Sequence, residues 1–304
     1  WQAALDLFRL LDQNQQGAAL LNHQALAYRK LNQPHIAEKL LERALLQHEW
    51  NLWTWYQYLL LRPPVEQELW FGTHAAQVRA TLDSVTSMQF PAARRHLQQD
   101  RLSPTEASVL RGLLRQLQVG AAPMFQEASL EVALQSPLWL RFHLALEAEA
   151  RKESVRAEVL YRSILAEAPD HSWTHARLGS VYADMSQLLK SQQHHARFLQ
   201  DYPRAVWGTF RLAVVKTMQQ EEPEAIRLYQ QVLALQPDHA PSLNNLAWTY
   251  LTAVDPELRN IQEALVMAQR AVQLQASVDH LDTLAEAYFQ SGQPQQAMQT
   301  IRRA

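Results

Sequence analysis

Three tryptophans, Trp139, Trp173 and Trp207, stand thirty-four residues apart, and four residues after each comes His143, Arg177 or Arg211. Residues four apart share a helix face, so each indole has a basic or ionisable neighbour. The chemistry this permits is non-covalent. A guanidinium over an indole contributes roughly 0.5–1 kcal/mol at an exposed site. Trp and Arg are also the residue types that most often dominate interfaces, where truncation can cost about 2 kcal/mol or more. Two readings stand side by side: the indoles fill gaps between adjacent helices, each arginine covering its aromatic neighbour, or the column is a partner-binding surface. Both can hold at once.

The other reactive side chains form no catalytic set. Walker loop, GxGxxG, HExxH and GxSxG motifs are absent, and seven glycines in 304 residues leave little material for a phosphate-cradling loop. Among twelve histidines the adjacent pair is His194 and His195. Consecutive helical residues point about 100° apart, a poor geometry for a shared metal, and a packing or surface role is expected for both. His171 and His175 lie four apart at a helix start, where a zinc pair is geometrically possible, but no third ligand is evident. Without cysteine, disulfides, CxxC chemistry and thiolate metal sites are excluded. Glu147, Glu149, Glu153 and Glu158 read as the solvated face of a helix pair. No metal and no cofactor is expected, and the chain reads as non-enzymatic.

Hydrophobic residues at 47% supply a continuous core, and a net charge of −2 is too small for a disordered chain. The same near-neutrality gives no basic footprint for nucleic acid. The longest apolar runs, such as residues 56 to 61, fall far short of the ~20 residues that cross a membrane. The first residues lack the basic region of a signal peptide. Direct membrane insertion of this segment is therefore not expected, and lack of cysteine fits bacterial cytoplasm and periplasm equally. The chain starts at Trp1, not methionine, and both ends read as pieces of helix, so an excerpt from a longer protein is expected.

Helices must position these residues. Glycine is scarce, Ala, Leu, Gln, Glu and Arg dominate, and period-two alternation is hard to find, so no sheet is expected. Pro169, Pro203 and Pro237 recur at thirty-four residues, with Pro104 and Pro137 extending the ladder backwards, and each would sit between helices. Between them Leu178, Gly179 and Tyr182 are answered by Leu144, Ala145 and Ala148 before and by Leu212, Ala213 and Lys216 after. The small residues would let two helices approach closely. A second helix carries Ala157, Tyr161 and Ile164, then Ser191, His195 and Phe198, then Ala225, Tyr229 and Val232. Leu246, Ala247 and Tyr250 continue the series, and a longer turn delays Ala264 by about five residues before Leu284, Ala285, Tyr288 and Ala297 restore the spacing. Near the start, Ala25, Tyr28, Ala37, Leu41 and Ala44 match another unit, Ala4, Phe8 and Leu11 the end of one before it, and Trp53 the tryptophan position of a third. Over residues 65–137 helical periodicity persists without the repeat, and Ser103 to Glu106 has the form of a capping box with Pro104 in the first turn.

This pattern resembles the tetratricopeptide repeat, a helix–turn–helix of thirty-four residues. The resemblance implies an all-α fold, an α-solenoid of stacked helix-turn-helix units forming a right-handed superhelix. It divides the chain into N-terminal repeat-like units over 1–64, a degenerate or inserted helical segment over 65–137, and a well-matched array over 138–304, with units near 138–171, 172–205, 206–239, 240–277 and 278–304, the last partial. In the family the first helix of each unit lines a concave groove, so the resemblance implies that the tryptophan column faces it. The partner-binding candidates are Trp139, His143, Trp173, Arg177, Trp207, Phe210, Arg211, Asn244, Asn245 and Trp248. Arg177, Arg211 and Asn245 match single slots of the clamp with which some family members hold a terminal carboxylate. Its lysine slot holds Phe142, Ala176, Phe210 or Asn244 here, and its further asparagine slot Leu146, Ser180, Val214 or Trp248, which rules out a complete clamp. What the resemblance implies is an aromatic groove for an extended or helical peptide with apolar side chains and an acidic group.

The sequence style is similar to bacterial members of the family. The function expected is a non-catalytic scaffold for a protein or peptide partner, part of a larger protein or assembly. The alternative is a regulatory or targeting arm of an enzyme or of a secretion or envelope machine whose active domain lies elsewhere. Oligomerisation through the terminal repeats remains open.

Overall fold

The computed structural model describes residues 18–47, 52–62, 69–71, 75–86, 92, 102–104, 106, 107, 110 and 129–303. Among these residues there are helices and no strand. The chain divides into two compact units, Trp1–Thr174 and His175–Ala304. The expectations placed on Ala4, Phe8, Leu11 and the side chain of Trp53 fall outside the described residues.

In the first unit α1 (Ala18–Lys30) and α2 (Pro34–Gln47) form a hairpin whose seam buries Leu21, Ala25, Ala37, Leu41 and Ala44. α3 (Leu52–Leu59) and α4 (Ala75–Thr86) follow. Asn22 Nδ2 donates to Thr54 Oγ1 at 2.8 Å, a buried bond joining α1 to α3, and Arg29 pairs with Asp83 of α4 at 2.8 Å. Ser103 and Glu106 make both reciprocal bonds of the capping box, at 2.9 and 3.2 Å. The unit continues with α5 (Leu130–Leu134), α6 (Leu138–Ala150) and α7 (Ser154–Glu167).

α8 (Ser172–Asp184) starts at the end of the first unit and runs into the second. The second unit goes on with α9 (Leu188–Asp201), α10 (Val206–Met218), α11 (Glu222–Leu235), α12 (Ala240–Thr252), α13 (Ile261–Leu274), α14 (Val278–Gln290) and α15 (Pro294–Ile301). First helices thus begin at Leu138, Ser172, Val206 and Ala240, at steps of thirty-four residues. Three-residue connections make each pair antiparallel. Pair also stacks on pair: Ala213, Tyr229, Leu246, Tyr250, Ala268 and Leu284, drawn from five consecutive helices, share one buried cluster. The α12–α13 connection is longer, from Ala253 to Asn260, and contains a 3₁₀ turn at Pro256–Leu258.

The small residues do what their spacing demands. A Cβ on Gly179 of α8 would lie 2.9 Å from the His195 ring of α9, and Ser191 Oγ donates to the Gly179 carbonyl at 2.7 Å. A Cβ on Gly208 would come within 2.6 Å of the Phe198 ring, which is itself fully buried.

The short turns repeat one backbone device. Lys152, Ser186, Gln220 and Gly292, each just past a first helix, have φ of 63°, 57°, 61° and 75°. The amide three residues beyond each helix reaches back to its last turn, as Gln187 N to Tyr182 O at 2.8 Å and Glu221 N to Lys216 O at 3.0 Å. This is a Schellman closure, whose left-handed position favours glycine. Three of the four positions carry a side chain there, at a cost of about 1–2 kcal/mol each. Gln220→Gly is therefore expected to raise stability by about 0.5–1 kcal/mol, after the extra unfolded-chain entropy of glycine is subtracted. Gly208→Ala is expected to lower it by about 1–3 kcal/mol through overpacking against Phe198. Urea denaturation followed by circular dichroism reads both.

Candidate recognition surface

The tryptophan column lies inside the fold. Trp139 is fully buried, and Trp173 and Trp207 are 3% and 7% exposed. His143, on α6, is buried, its Nε2 3.1 Å from Glu147 Oε1. The expectation that these four side chains form an exposed stripe is corrected. A bulky indole near the start of a first helix reaches the seam with its neighbours and is covered there. At Trp207 the seam is explicit: the ring meets His195 at 5.9 Å and Phe198 at 6.1 Å edge-on, while the guanidinium carbons of Arg177 and Arg211 stand 5.8 and 5.6 Å from its centroid. Both arginines are half-buried against the same indole.

The remaining candidates sort by depth. Phe210 is half-buried between Tyr229 (6.2 Å) and the His239 ring (5.0 Å). Asn245, also half-buried, donates through Nδ2 to Tyr229 Oη at 3.3 Å. Burial pushes the Tyr229 phenol up, while hydrogen bonds with Thr217 and Asn245 act the other way. Asn244 is buried; its Nδ2 reaches Asn245 Oδ1 at 3.4 Å, and its own Oδ1 has no donor among the described residues. Trp248 is the exposed one, at 44%.

A two-repeat alternation escaped the sequence reading. Phe142 packs edge-on to Tyr161 (5.6 Å) and His171 (6.0 Å), and sixty-eight residues on Phe210, Tyr229 and His239 repeat the set. In the repeats after these, the phenylalanine slot holds Ala176 and Asn244. His171 and His239 also cap the following helices, accepting from Thr174 N and Ser242 N at 3.2 Å. Neither use is metal ligation. His175 meets His194 instead, Nδ1 to Nδ1 at 2.8 Å, so one of the two must carry the proton and the other accept it. Among the described residues no three of His, Cys, Asp and Glu are grouped to hold a metal ion, and no helix is long and apolar enough to cross a membrane.

The second unit's first helices each keep one stripe open. On α10 it holds Phe210, Val214 and Met218; on α12, Pro241, Asn245, Trp248 and Thr252; on α14, Asp279, Asp282, Glu286 and Phe289. α11 and α13 cover the opposite sides, so the stripes look the same way. Gln290 Nε2 donates to Leu251 O at 3.3 Å and ties α14 to α12.

A family model for the tetratricopeptide repeat matches residues 228–266, from the later turns of α11 through α12 into α13. Residues 228–266 are a tetratricopeptide repeat, and the helix pairs before them keep its thirty-four-residue step. No curated protein matches it by sequence. Solved structures similar to it include MamA residues 41 to the end from Desulfovibrio magneticus RS-1, 13% identical over 55% of this chain and 92% of that one, with a TM-score of 0.48. Another is TTC0263, a thermophilic tetratricopeptide repeat protein of Thermus thermophilus, 16% identical over 55% and 89% of the two chains, TM-score 0.46. A further MamA crystal structure is 16% identical over 54% and 88%, TM-score 0.46. The assignment rests on the family model and on the thirty-four-residue helix pairs themselves. As a fold, the tetratricopeptide repeat is a scaffold for protein–protein interaction.

Three histidines tie stability to pH. Burial, then Arg211, His194 and Arg177, lowers His195 to about 3, and neither of its ring nitrogens has a hydrogen-bond partner among the described residues. Burial, then His175 and Lys190, lowers His194 to about 4, and burial alone lowers His239 to about 4. These folded values lie below the ordinary 6.5, so the unfolded chain takes up protons first as pH falls. Stability is complete above about pH 6.5 and is lost from there down toward pH 4, by up to about 1.4 kcal/mol per pH unit for a fully buried site such as His195. The urea midpoint is expected to fall between pH 7.5 and 5, and to fall less in His195→Phe, which places a ring where neighbouring repeats carry Tyr161 and Tyr229.

Proposed function

We propose that this chain is a non-catalytic scaffold that holds a protein or peptide partner along the open face of its first helices. The observation that carries this reading is the run of open side chains on successive first helices: Phe210, Val214 and Met218 on α10, then Asn245 and the exposed indole of Trp248 on α12. Trp207, clasped by Arg177 and Arg211, is the stiff wall of that face and not its contact surface. Trp139, His143 and Trp173 are buried in the same way and lie outside that contact surface. The contacts themselves fall to Phe210, Val214, Met218, Asn245 and Trp248, with Asn244 beneath them and Arg211 left in the wall. An exposed aromatic beside half-buried apolar groups suits an anchor side chain, and such anchors concentrate binding energy.

Selection of peptides from a random display library against the chain tests the reading. The selected peptides are expected to lose at least tenfold in affinity for Trp248→Ala and for Met218→Ser. Leu189→Ser, a change at an exposed position on the second helix α9, is expected to leave affinity unaltered. Binding that ignores Trp248→Ala, or that depends on Leu189, would overturn the assignment of the face.

A further inference from the structure

The open face changes character toward α14. α12 and α14 together contain no lysine or arginine, while α14 carries Asp279, Asp282 and Glu286 along its open stripe. These three carboxylates form no ion pair among the described residues. The cations of α10, of α13 and of the α12–α13 connection are engaged elsewhere: Arg211 against Trp207, Lys216 with Glu221 at 2.6 Å, Arg270 with Asp238 at 2.7 Å, and Arg259 with the Ala253 carbonyl at 2.8 Å. Arg302 and Arg303 follow α15, are exposed, and pair with none of the three. Asp279 lies in the first turn of α14, where the helix dipole accounts for it. Asp282 and Glu286 lie further along, beyond that effect; Glu286 accepts only from Gln290 Nε2, at 2.8 Å.

A second observation points to a ligand independently of charge. Asn244 is 8% exposed and its Oδ1 accepts no hydrogen bond, because the amide occupies the slot that holds a phenyl ring two repeats apart at Phe142 and Phe210. Its Nδ2 turns to Asn245, which lies in the open stripe. A buried carbonyl left without a donor costs about 1–3 kcal/mol. The oxygen itself is sealed from solvent, so the amide that a chain laid along the stripe would meet is that of Asn245. Trp248, one turn on from Asn244 in α12, and Phe289, one turn on from Glu286 in α14, are 44% and 64% exposed and supply apolar ground on the two helices.

We infer that the face of α12 and α14 takes an extended, basic segment of a partner protein. Its cationic side chains meet Asp282 and Glu286, an apolar side chain rests on Trp248 and Phe289, and its backbone passes the amide of Asn245. This inference rests on the scaffold reading and reverses the charge that the family resemblance led the sequence to favour. The arginines that would have called for an acidic partner are held against Trp207.

The test is fluorescence anisotropy with the 304-residue chain and three labelled decapeptides. Each has the same apolar residues at alternate positions and lysine, serine or glutamate between them. The lysine peptide is expected to bind at least tenfold more tightly than the glutamate peptide. Its affinity is expected to fall about tenfold for Asp282→Asn/Glu286→Gln and several-fold for Phe289→Ser, both changes at solvent-facing positions, with unchanged thermal melting. It should also weaken as salt shortens the screening length from ~10 Å to ~3 Å between 0.1 and 1 M. Equal binding of the three peptides, or indifference to Asp282→Asn/Glu286→Gln, overturns the basic-segment inference. If library peptides still depend on Trp248 in that case, the scaffold reading survives it. Failure of every peptide to bind defeats both. A dimer in light scattering that Phe289→Ser dissolves would put a second copy of the chain on this face in place of a basic partner.

Discussion

The contact on which the structure depends is a ring of one helix pressed onto a nearly bare stretch of its partner's backbone. At α8 and α9 the ring is His195 and the bare position Gly179, with the Ser191 hydroxyl bonded to the same carbonyl. In neighbouring pairs the small residue is Ala145 or Ala213 and the ring Tyr161 or Tyr229, all fully buried. Close approach fixes the spacing within a pair, yet leaves each pair with apolar surface on its flanks. That surface is covered only by the next pair, which is why one buried cluster draws on α10 to α14 together. A helix pair of this kind has no interior of its own, and its stability is a property of stacking.

The same constraint decides which side chains remain for recognition. Large residues near the start of a first helix are drawn into the seam, and their polar neighbours follow: Arg177 and Arg211 lie across Trp207 although their charges would suit a surface. Residues nearer the middle and end of the helix, Val214, Met218 and Trp248, stay open because no second helix crosses them. Where the alternation of large and small residues breaks, at Asn244, a polar group lies in a ring's place and its carbonyl is left without a donor. Chemical potential for binding thus collects around α12 and α14, away from the regular tryptophan column.

Histidine serves this fold as a compact ring with an acceptor. His171 and His239 cap helices while packing on Phe142 and Phe210, and His195 fills a tyrosine slot. All three uses call for the neutral imidazole, the first because protonation would remove the acceptor, the last because the ring is sealed from water. The pairing of His175 with His194 obeys the same rule, since two imidazolium rings could not meet at 2.8 Å.

Much of this was legible in the residues. Prolines, small residues and rings recurring at thirty-four determined the helix pairs, their boundaries from Leu138 onward and the lengthened turn after Thr252, because backbone propensity and helix periodicity are local properties that a sequence displays directly. The capping box at Ser103 and Glu106 was legible for the same reason. Depth was not. Whether Trp207 faces a partner or a seam, whether Arg211 reaches water or an indole, and whether Asn244 finds a donor depend on which neighbouring helix passes within a few ångströms. That distance is set jointly by residues tens of positions apart. The tertiary structure alone decided it, and with it moved the candidate site from the tryptophans to Trp248, Asn244 and the carboxylates of α14.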